Sequence, residues 1–163
     1  MRTIFLAALS VSLAVTAAAA APRSDRVYVD DRYGIASVVP KEWTLQPPDP
    51  KLNGTRFTSS DGSGSLALYK EPAGRNVAAH MNAVAYVQGE RITYLRRGRS
   101  WIVVSGFRGD RIFYRKAMLA CGNNTWHHVA FGYPAAEKRA YDRLVTRTSH
   151  ALKMHENDGC RPE

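Results

Sequence analysis

Apolar residues recur along this chain at two spacings, every second residue in some segments and every third or fourth in others. Residues 33–39 predict a strand, which Pro40 ends because proline cannot donate a hydrogen bond within a sheet. Residues 56–58 and 65–69 predict the two strands of a hairpin, since a turn rich in glycine, serine and aspartate, residues 60–64, separates them. The first part of the domain is therefore predicted to consist of short strands.

Four more strand candidates follow later in the chain, with only short turns between them. β-Branched and aromatic residues are frequent in these segments, and glycine marks the turns. Strands joined by such short turns pair with their neighbours in sequence, which predicts three successive hairpins. The four strands occupy residues 91–95, 101–106, 111–121 and 125–132 and are predicted to form an antiparallel meander.

Between the first hairpin and the meander, the apolar spacing changes to that of a helix. Asn76 is a suitable N-cap residue and Gly89 a suitable stop. His80 lies close to the apolar stripe and is interpreted as a residue on its flank. The stripe consists of Val77, Met81, Val84 and either Tyr86 or Val87.

A second helix is predicted to open at Pro134, because proline is favoured in the first turn of a helix. Its apolar stripe lies opposite a face that carries Arg139, Arg143 and Arg147. The complete pattern predicts an α+β fold, in which two main helices flank an antiparallel meander. The stripe of this second helix consists of Tyr141, Leu144, Val145, Thr148 and Leu152.

The N-terminal segment has the three parts of a secretory signal peptide. A positive start, Met1-Arg2, precedes an apolar run at residues 4–15 and an almost pure alanine stretch at residues 16–21. The alternative, a membrane anchor, needs about 20 apolar residues, which is more than this run supplies. We therefore expect cleavage before Ala21 and a periplasmic or secreted protein without a transmembrane segment.

Removal of residues 1–20 leaves a length that suits one domain with its own core. Residues 21–32 are mostly polar and are interpreted as an N-terminal lead-in with room for a short edge strand. Residues 33–153 form the predicted domain, and residues 154–163 form a polar C-terminal tail.

The chain contains two cysteines, Cys121 and Cys160, and we expect them to form a disulfide in an oxidising compartment. The bond would close a loop of about 40 residues and stabilise the fold by about 3–4 kcal/mol in the chain-entropy model. A reactive redox pair normally has closely spaced cysteines in an electropositive pocket. The sequence therefore favours a structural link that holds the C-terminal tail.

The formal net charge of +9 is concentrated in one part of the chain. Residues 91–120 hold eight basic residues and only Asp110 as an acidic one. A basic field attracts anions, and outside the cytoplasm these are anionic lipids, polysaccharides and acidic proteins rather than nucleic acid. The alternative is a face that is only solvated. The candidate anion-binding surface consists of Arg96, Arg97, Arg99 and Arg108.

No catalytic or metal-binding motif is recognisable in the sequence. His127 and His128 are adjacent on a predicted strand and so point to opposite faces, which prevents them from sharing an ion. His150 and His155 lie five residues apart near the end of the second helix, a spacing that matches no standard ligand pattern. We therefore predict no metal, no cofactor and no catalytic residue. The one nucleophile and base that could face each other are Ser105 and His127.

Several short motifs resemble a group of uncharacterised exported bacterial proteins with the Mog1/PsbP-like fold. The resemblance covers about residues 32–152 and implies an antiparallel sheet between helices, as in an α/β/α sandwich. It also implies a binding or assembly role rather than catalysis, and it identifies no site residues. The motifs are Tyr33-Gly34-Ile35, Val39-Pro40, Trp43, Ser59-Ser60-Asp61-Gly62, Ser100-Trp101, Ser105-Gly106, Ile112-Phe113-Tyr114 with Lys116, Tyr133-Pro134 and Arg139-x-Tyr141-Asp142-x-x-Val145.

The function expected from the sequence is that of an exported, non-enzymatic binding or accessory protein that contacts anionic envelope components through basic hairpins. One alternative is a small envelope hydrolase that uses Ser105 or a histidine. The other is a structural or stress-linked domain without a ligand.

Overall fold

Seven antiparallel strands form the central sheet of the computed structural model, which describes residues 24–120 and 124–154. The predicted signal peptide, both cysteines and the tail beyond Met154 lie outside the described residues. The elements are β1 Asp25–Asp30, β2 Ile35–Pro40, β3 Thr44–Leu45, β4 Gly54–Thr58, β5 Ser65–Pro72, α1 Val77–Ala85, β6 Arg91–Arg97, β7 Trp101–Arg108, β8 Arg111–Ala120, β9 Thr125–Pro134, α2 Lys138–Ala151 and β10 Lys153–Met154. The strand order in the central sheet is β3-β4-β5-β9-β8-β7-β6, and a smaller sheet has the order β1-β2-β10.

The α+β class and the predicted meander are confirmed, since β6, β7 and β8 each pair with the next strand in sequence. The hairpin of β4 and β5 is also present. This hairpin joins the meander through an antiparallel pairing of β5 with β9, which runs from Ser65 opposite Gly132 to Pro72 opposite Thr125. The central sheet therefore contains strands from both halves of the chain.

The two helices cover opposite faces of the central sheet. Helix α2 and the small sheet pack on the face that carries Leu66, Val129 and Phe131. Helix α1 packs on the face that carries Val104 and Trp126. All of these side chains are buried, and their removal from water is the main favourable term in folding.

Helix α1 begins as predicted, because the side chain of Asn76 accepts a hydrogen bond from the backbone N–H of Ala79 at 2.9 Å. It ends at Ala85, four residues before the predicted stop at Gly89. Tyr86 follows in an extended conformation, with φ −109° and ψ 100°, so its side chain leaves the helical stripe and is exposed. Gly89 instead occupies a turn before β6, where its φ of 81° favours glycine.

The second helix begins later than predicted. Pro134 ends β9 in an extended conformation, with φ −60° and ψ 137°, and lies opposite Arg111 of β8. A 3₁₀ turn over Ala135–Glu137 follows, and α2 starts at Lys138. Proline is compatible with a strand end as well as with a helix start, which explains the error.

The lead-in predicted for residues 21–32 contains a complete strand. Strand β1 pairs with β2 from Asp25 opposite Pro40 to Asp30 opposite Ile35. An ion pair between Asp25 and Arg147 also connects this strand to α2, with Oδ2 and Nε 2.6 Å apart. Within the described parts of the chain, no helix combines the length and the apolar character that a bilayer crossing requires.

Candidate functional site

A cleft with a volume of about 330 Å³ lies on the α1-facing side of the central sheet, beyond the area that α1 covers. Small residues of β5 and β9 form its floor: Ala67, Ala130 and Gly132. They lie on the same face because side chains of a strand alternate between faces. Short side chains leave an open space there for a ligand.

Four arginines surround this floor, and we call the site the arginine cleft. Arg56 of β4 lies opposite Ala67, and Arg115 of β8 lies opposite Ala130. Arg108 and Arg111 face each other at the turn between β7 and β8. The sheet therefore brings together guanidinium groups from three strands.

Glu90 is the buried counter-charge of the arginine cleft, with a side chain that is 1% exposed. Arg115 donates from both terminal nitrogens to the two carboxylate oxygens, at 2.9 and 2.6 Å, and Arg108 donates to Oε1 at 2.7 Å. The Nε of Arg115 is buried and has no hydrogen-bond partner among the described residues. This guanidinium also lies over the ring of Phe113, 4.5 Å from its centroid.

The other two arginines have weaker partners. Arg111 donates to the backbone oxygen of Ser63 at 2.7 Å, and an oxygen of Asp49 lies 3.4 Å from Arg56 in a largely exposed ion pair. Four arginines thus face one buried and one partly exposed carboxylate. The cleft keeps an excess of positive charge, which favours anionic ligands.

The structure separates the four arginines predicted to form one surface. Arg108 belongs to the arginine cleft, whereas Arg96, Arg97 and Arg99 are exposed at the opposite end of the β6–β7 hairpin. Arg97 pairs with Ile102, and Ile102 and Arg108 are six positions apart on β7, about 20 Å at 3.3 Å per residue. Arg108 therefore lies far from the other three predicted residues, and anion binding by the predicted set stays a prediction.

Ser105 and His127, the candidate hydrolase pair, are not neighbours. Ser105 lies opposite Tyr114, which lies opposite Phe131, so His127 is two strands and four residues away from Ser105. That offset corresponds to a separation of more than about 15 Å. The Oγ of Ser105 donates to the backbone oxygen of Phe113 at 2.8 Å. This arrangement leaves Ser105 without His127 as a base.

A second polar cluster lies under α1, and we call it the Glu–His–His cluster. Glu71 of β5, His80 of α1 and His128 of β9 place one ligand-type atom each within 4.8 Å of the others. His127 points to the opposite face, as predicted, and does not belong to the cluster. His80 was predicted to lie on the flank of the stripe, but it follows Val77 by three residues and precedes Val84 by four, which is the spacing of one helical face.

Burial opposes the protonation of both histidines of the cluster. Burial, with a smaller contribution from the nearby imidazoles of His80 and His127, lowers the pKa of His128 to about 3. Burial also lowers the pKa of His80, while the carboxylate of Glu71 acts in the opposite direction. Burial therefore favours the uncharged form of both imidazoles beside the carboxylate of Glu71.

An aromatic groove on the α2-facing side of the sheet is larger, with a volume of about 560 Å³. Tyr94 and Trp101 are exposed in it. Its main polar groups are already paired, because Lys116 donates to the backbone oxygen of Ser149 at 2.6 Å and the hydroxyls of Tyr114 and Ser149 lie 2.6 Å apart. The arginine cleft offers more binding capacity for a polar ligand.

Comparison with solved structures confirms the fold that the sequence motifs indicated. The PsbP protein CyanoP of Synechocystis sp. PCC 6803 has a TM-score of 0.59 and 11% identity, over 80% of this chain and 92% of that protein. The Ran-binding protein Mog1p of Saccharomyces cerevisiae has a TM-score of 0.58 and 8% identity, over 81% of this chain and 96% of that protein. A point mutant of the protein Mog1 has a TM-score of 0.58 and 9% identity, over 82% of this chain and 97% of that one.

No protein-family model and no curated protein sequence matches the chain. The similarity to the solved structures therefore rests on the arrangement of the elements. A fold can support unrelated functions, so the site has to be interpreted from its own residues.

Proposed function

We propose that this chain, which has the Mog1/PsbP-like fold, is an exported, non-enzymatic binding protein whose arginine cleft holds a phosphate group of an anionic envelope component. The convergence of Arg56, Arg108, Arg111 and Arg115 on one small-residue floor carries the proposal. Guanidinium groups match the geometry of phosphate oxygens and can donate two parallel hydrogen bonds to them.

The shape of the cleft supports a small anionic group at the end of a larger molecule. A volume of about 330 Å³ accommodates a phosphate and its nearest substituents, and the cleft opens to solvent beside Arg56 and Arg108. The anionic headgroup of a phospholipid has this size and charge. A free phosphate ester has the same chemistry, and the binding experiment below distinguishes the two sources.

A role without catalysis agrees with the positions of the reactive side chains. The hydroxyl of Ser105 donates a hydrogen bond to a backbone oxygen. Glu90, the buried carboxylate of the arginine cleft, accepts hydrogen bonds from two arginines. The fold is shared with a PsbP protein and with a Ran-binding protein, and the second of these is named for binding a partner. These observations favour a protein that binds a ligand without transforming it.

Loss of Arg56 and Arg111 should weaken binding to vesicles that contain phosphatidylglycerol. We expect the double variant R56A/R111A to bind at least about tenfold more weakly, since each charged hydrogen bond contributes about 1.5–3 kcal/mol. The ion pairs of Glu90 are formed with Arg108 and Arg115, so the double variant leaves them intact. Vesicle co-sedimentation at several salt concentrations measures the effect.

The matched control is R139A/R143A, which removes the same charge from the exposed face of α2, on the other side of the sheet. We expect it to bind nearly as well as the unmodified chain. Equal losses in the two variants would show a diffuse charge effect and contradict the proposal. Competition by soluble glycerol phosphate would assign binding to the phosphate group, whereas no competition would assign it to the lipid surface and argue against the cleft.

Export is the second part of the proposal, and the charge pattern of residues 1–21 supports it. We expect the chain recovered from the periplasm of a bacterial host to start at Ala21. Mass spectrometry of the intact protein measures this start. A chain that retained Met1 and remained in the cytoplasmic fraction would contradict export without affecting the cleft.

A further inference from the structure

Three side chains from three different elements converge beneath α1. Nε2 of His128 lies 3.5 Å from Oε2 of Glu71, and Nε2 of His80 lies 3.7 Å from the same oxygen. These distances are too long for hydrogen bonds. They are close to the separation of two ligands that bind the same tetrahedral zinc ion, about 3.3 Å for bonds of about 2.0–2.1 Å.

Aromatic neighbours fix the orientation of both imidazoles. The ring of His80 stacks on Trp126, with centroids 4.4 Å apart and an interplanar angle of 9°. The ring of His128 stacks in the same way on Tyr69, at 4.4 Å and 8°. Tyr69 and His128 also occupy opposite positions in the β5–β9 ladder, so the backbone fixes their pairing. Side chains that are already held in place lose less conformational entropy when they bind a metal ion.

The Nε2 atoms of His80 and His128 are both buried and have no hydrogen-bond partner among the described residues. A buried polar atom without a partner costs about 1–3 kcal/mol, so such atoms require an explanation. Both atoms are directed towards the carboxylate of Glu71, which is 48% exposed. The cluster therefore combines two buried nitrogen donors with one accessible oxygen donor.

We propose that Glu71, His80 and His128 bind a divalent transition-metal ion of the Zn²⁺ type, with a fourth coordination position open to solvent. Two imidazole nitrogens and one carboxylate oxygen form a donor set suited to Zn²⁺. The exposed side of Glu71 provides both the entry path and the position for water. The metal would satisfy the two unpartnered nitrogens.

Such an ion would link α1 to two strands of the sheet. Helix α1 has nine residues, fewer than an isolated helix needs for stability in water. His80 lies in the middle of this helix, whereas Glu71 and His128 belong to β5 and β9. The site is independent of the arginine cleft, because the four arginines are not among its ligands.

Titration of the metal-free full chain with Zn²⁺ in a calorimeter tests the proposal. We expect one ion per chain and a rise in melting temperature with Zn²⁺ concentration. The variant E71Q removes the charged oxygen, and H80F removes a nitrogen while it keeps a ring on Trp126. Each should weaken binding at least about tenfold, since even residues outside the ligand shell contribute this much to metal affinity.

The control variant is H150A, which removes an exposed histidine of α2. It should bind Zn²⁺ like the unmodified chain. Cu²⁺ in place of Zn²⁺ should also quench the fluorescence of Trp126, because this indole stacks on a proposed ligand. No Zn²⁺ binding by the correctly folded chain, or undiminished binding by E71Q and H80F, would overturn the proposal.

Discussion

Replacement of Trp126 with alanine should lower the free energy of unfolding by about 3–5 kcal/mol, the range for the loss of a large buried aromatic side chain. The side chain of Trp126 is 0% exposed and lies among the residues that α1 covers. Its removal leaves a cavity under α1 and takes away the stacking partner of His80. Urea denaturation followed by circular dichroism measures the loss.

Phenylalanine at the same position provides the control. The Nε1 of Trp126 is buried without a hydrogen-bond partner among the described residues, which destabilises the folded state. Phenylalanine lacks this N–H group, so the substitution removes that destabilising contribution. We expect W126F to cost less than about 1.5 kcal/mol, as for other substitutions that largely preserve an apolar side chain. Equal losses for the two variants would show that packing by this side chain contributes little.

Replacement of Glu90 with alanine should destabilise the protein by about 3 kcal/mol, because it leaves the guanidinium of Arg115 partly buried without a counter-charge. The side chain of Arg115 is 15% exposed, whereas that of Arg108 is 59% exposed and is solvated more easily. The expected loss therefore lies at the lower end of the range for broken buried ion pairs, about 3–5 kcal/mol. Thermal unfolding of E90A measures the effect.

Phosphate should restore part of the stability lost in E90A, since it can replace the missing carboxylate between Arg108 and Arg115. The unmodified chain should gain much less from the same concentration. The control variant E42A removes an exposed carboxylate and should change stability by no more than about 0.5 kcal/mol. An E90A variant that is stable, or one that does not respond to phosphate, would argue against the cleft as an anion site.

The elements that sequence analysis predicted well are those whose signals are local. The meander follows from short turns between apolar segments, and the start of α1 follows from Asn76. The buried stripe of α2 includes Leu144 and Thr148, as predicted. Periodicity and capping act over a few residues, and the sequence contains all of this information.

The pairing of β5 with β9 could not be predicted in the same way. Most of the meander and all of α1 separate the two strands in sequence, and no turn connects them. Many strand orders satisfy the same apolar pattern. The choice among them depends on packing of the whole core, which periodicity does not specify.

This pairing also explains why the candidate sites were largely missed. Arg111 and Arg115 lie on the same face of one strand, and the sequence alone could have grouped them. Arg56, however, comes close to them only because β5 and β9 pair between β4 and β8. Likewise, Glu71 and His128 become neighbours only in this ladder. Residues distant in sequence therefore form both sites, and of the arginines predicted to bind anions only Arg108 lies in one of them.

The β5–β9 ladder also has a consequence for the order in which the protein folds. Strand β5 can pair with its second neighbour only after β9 has been synthesised. Until then, one edge of β5 in the N-terminal half stays unpaired. Contacts between residues so far apart slow folding, because the intervening chain must lose entropy before they form. A nascent chain would thus stay loosely structured until its synthesis is almost finished, which keeps it compatible with threading through a narrow pore.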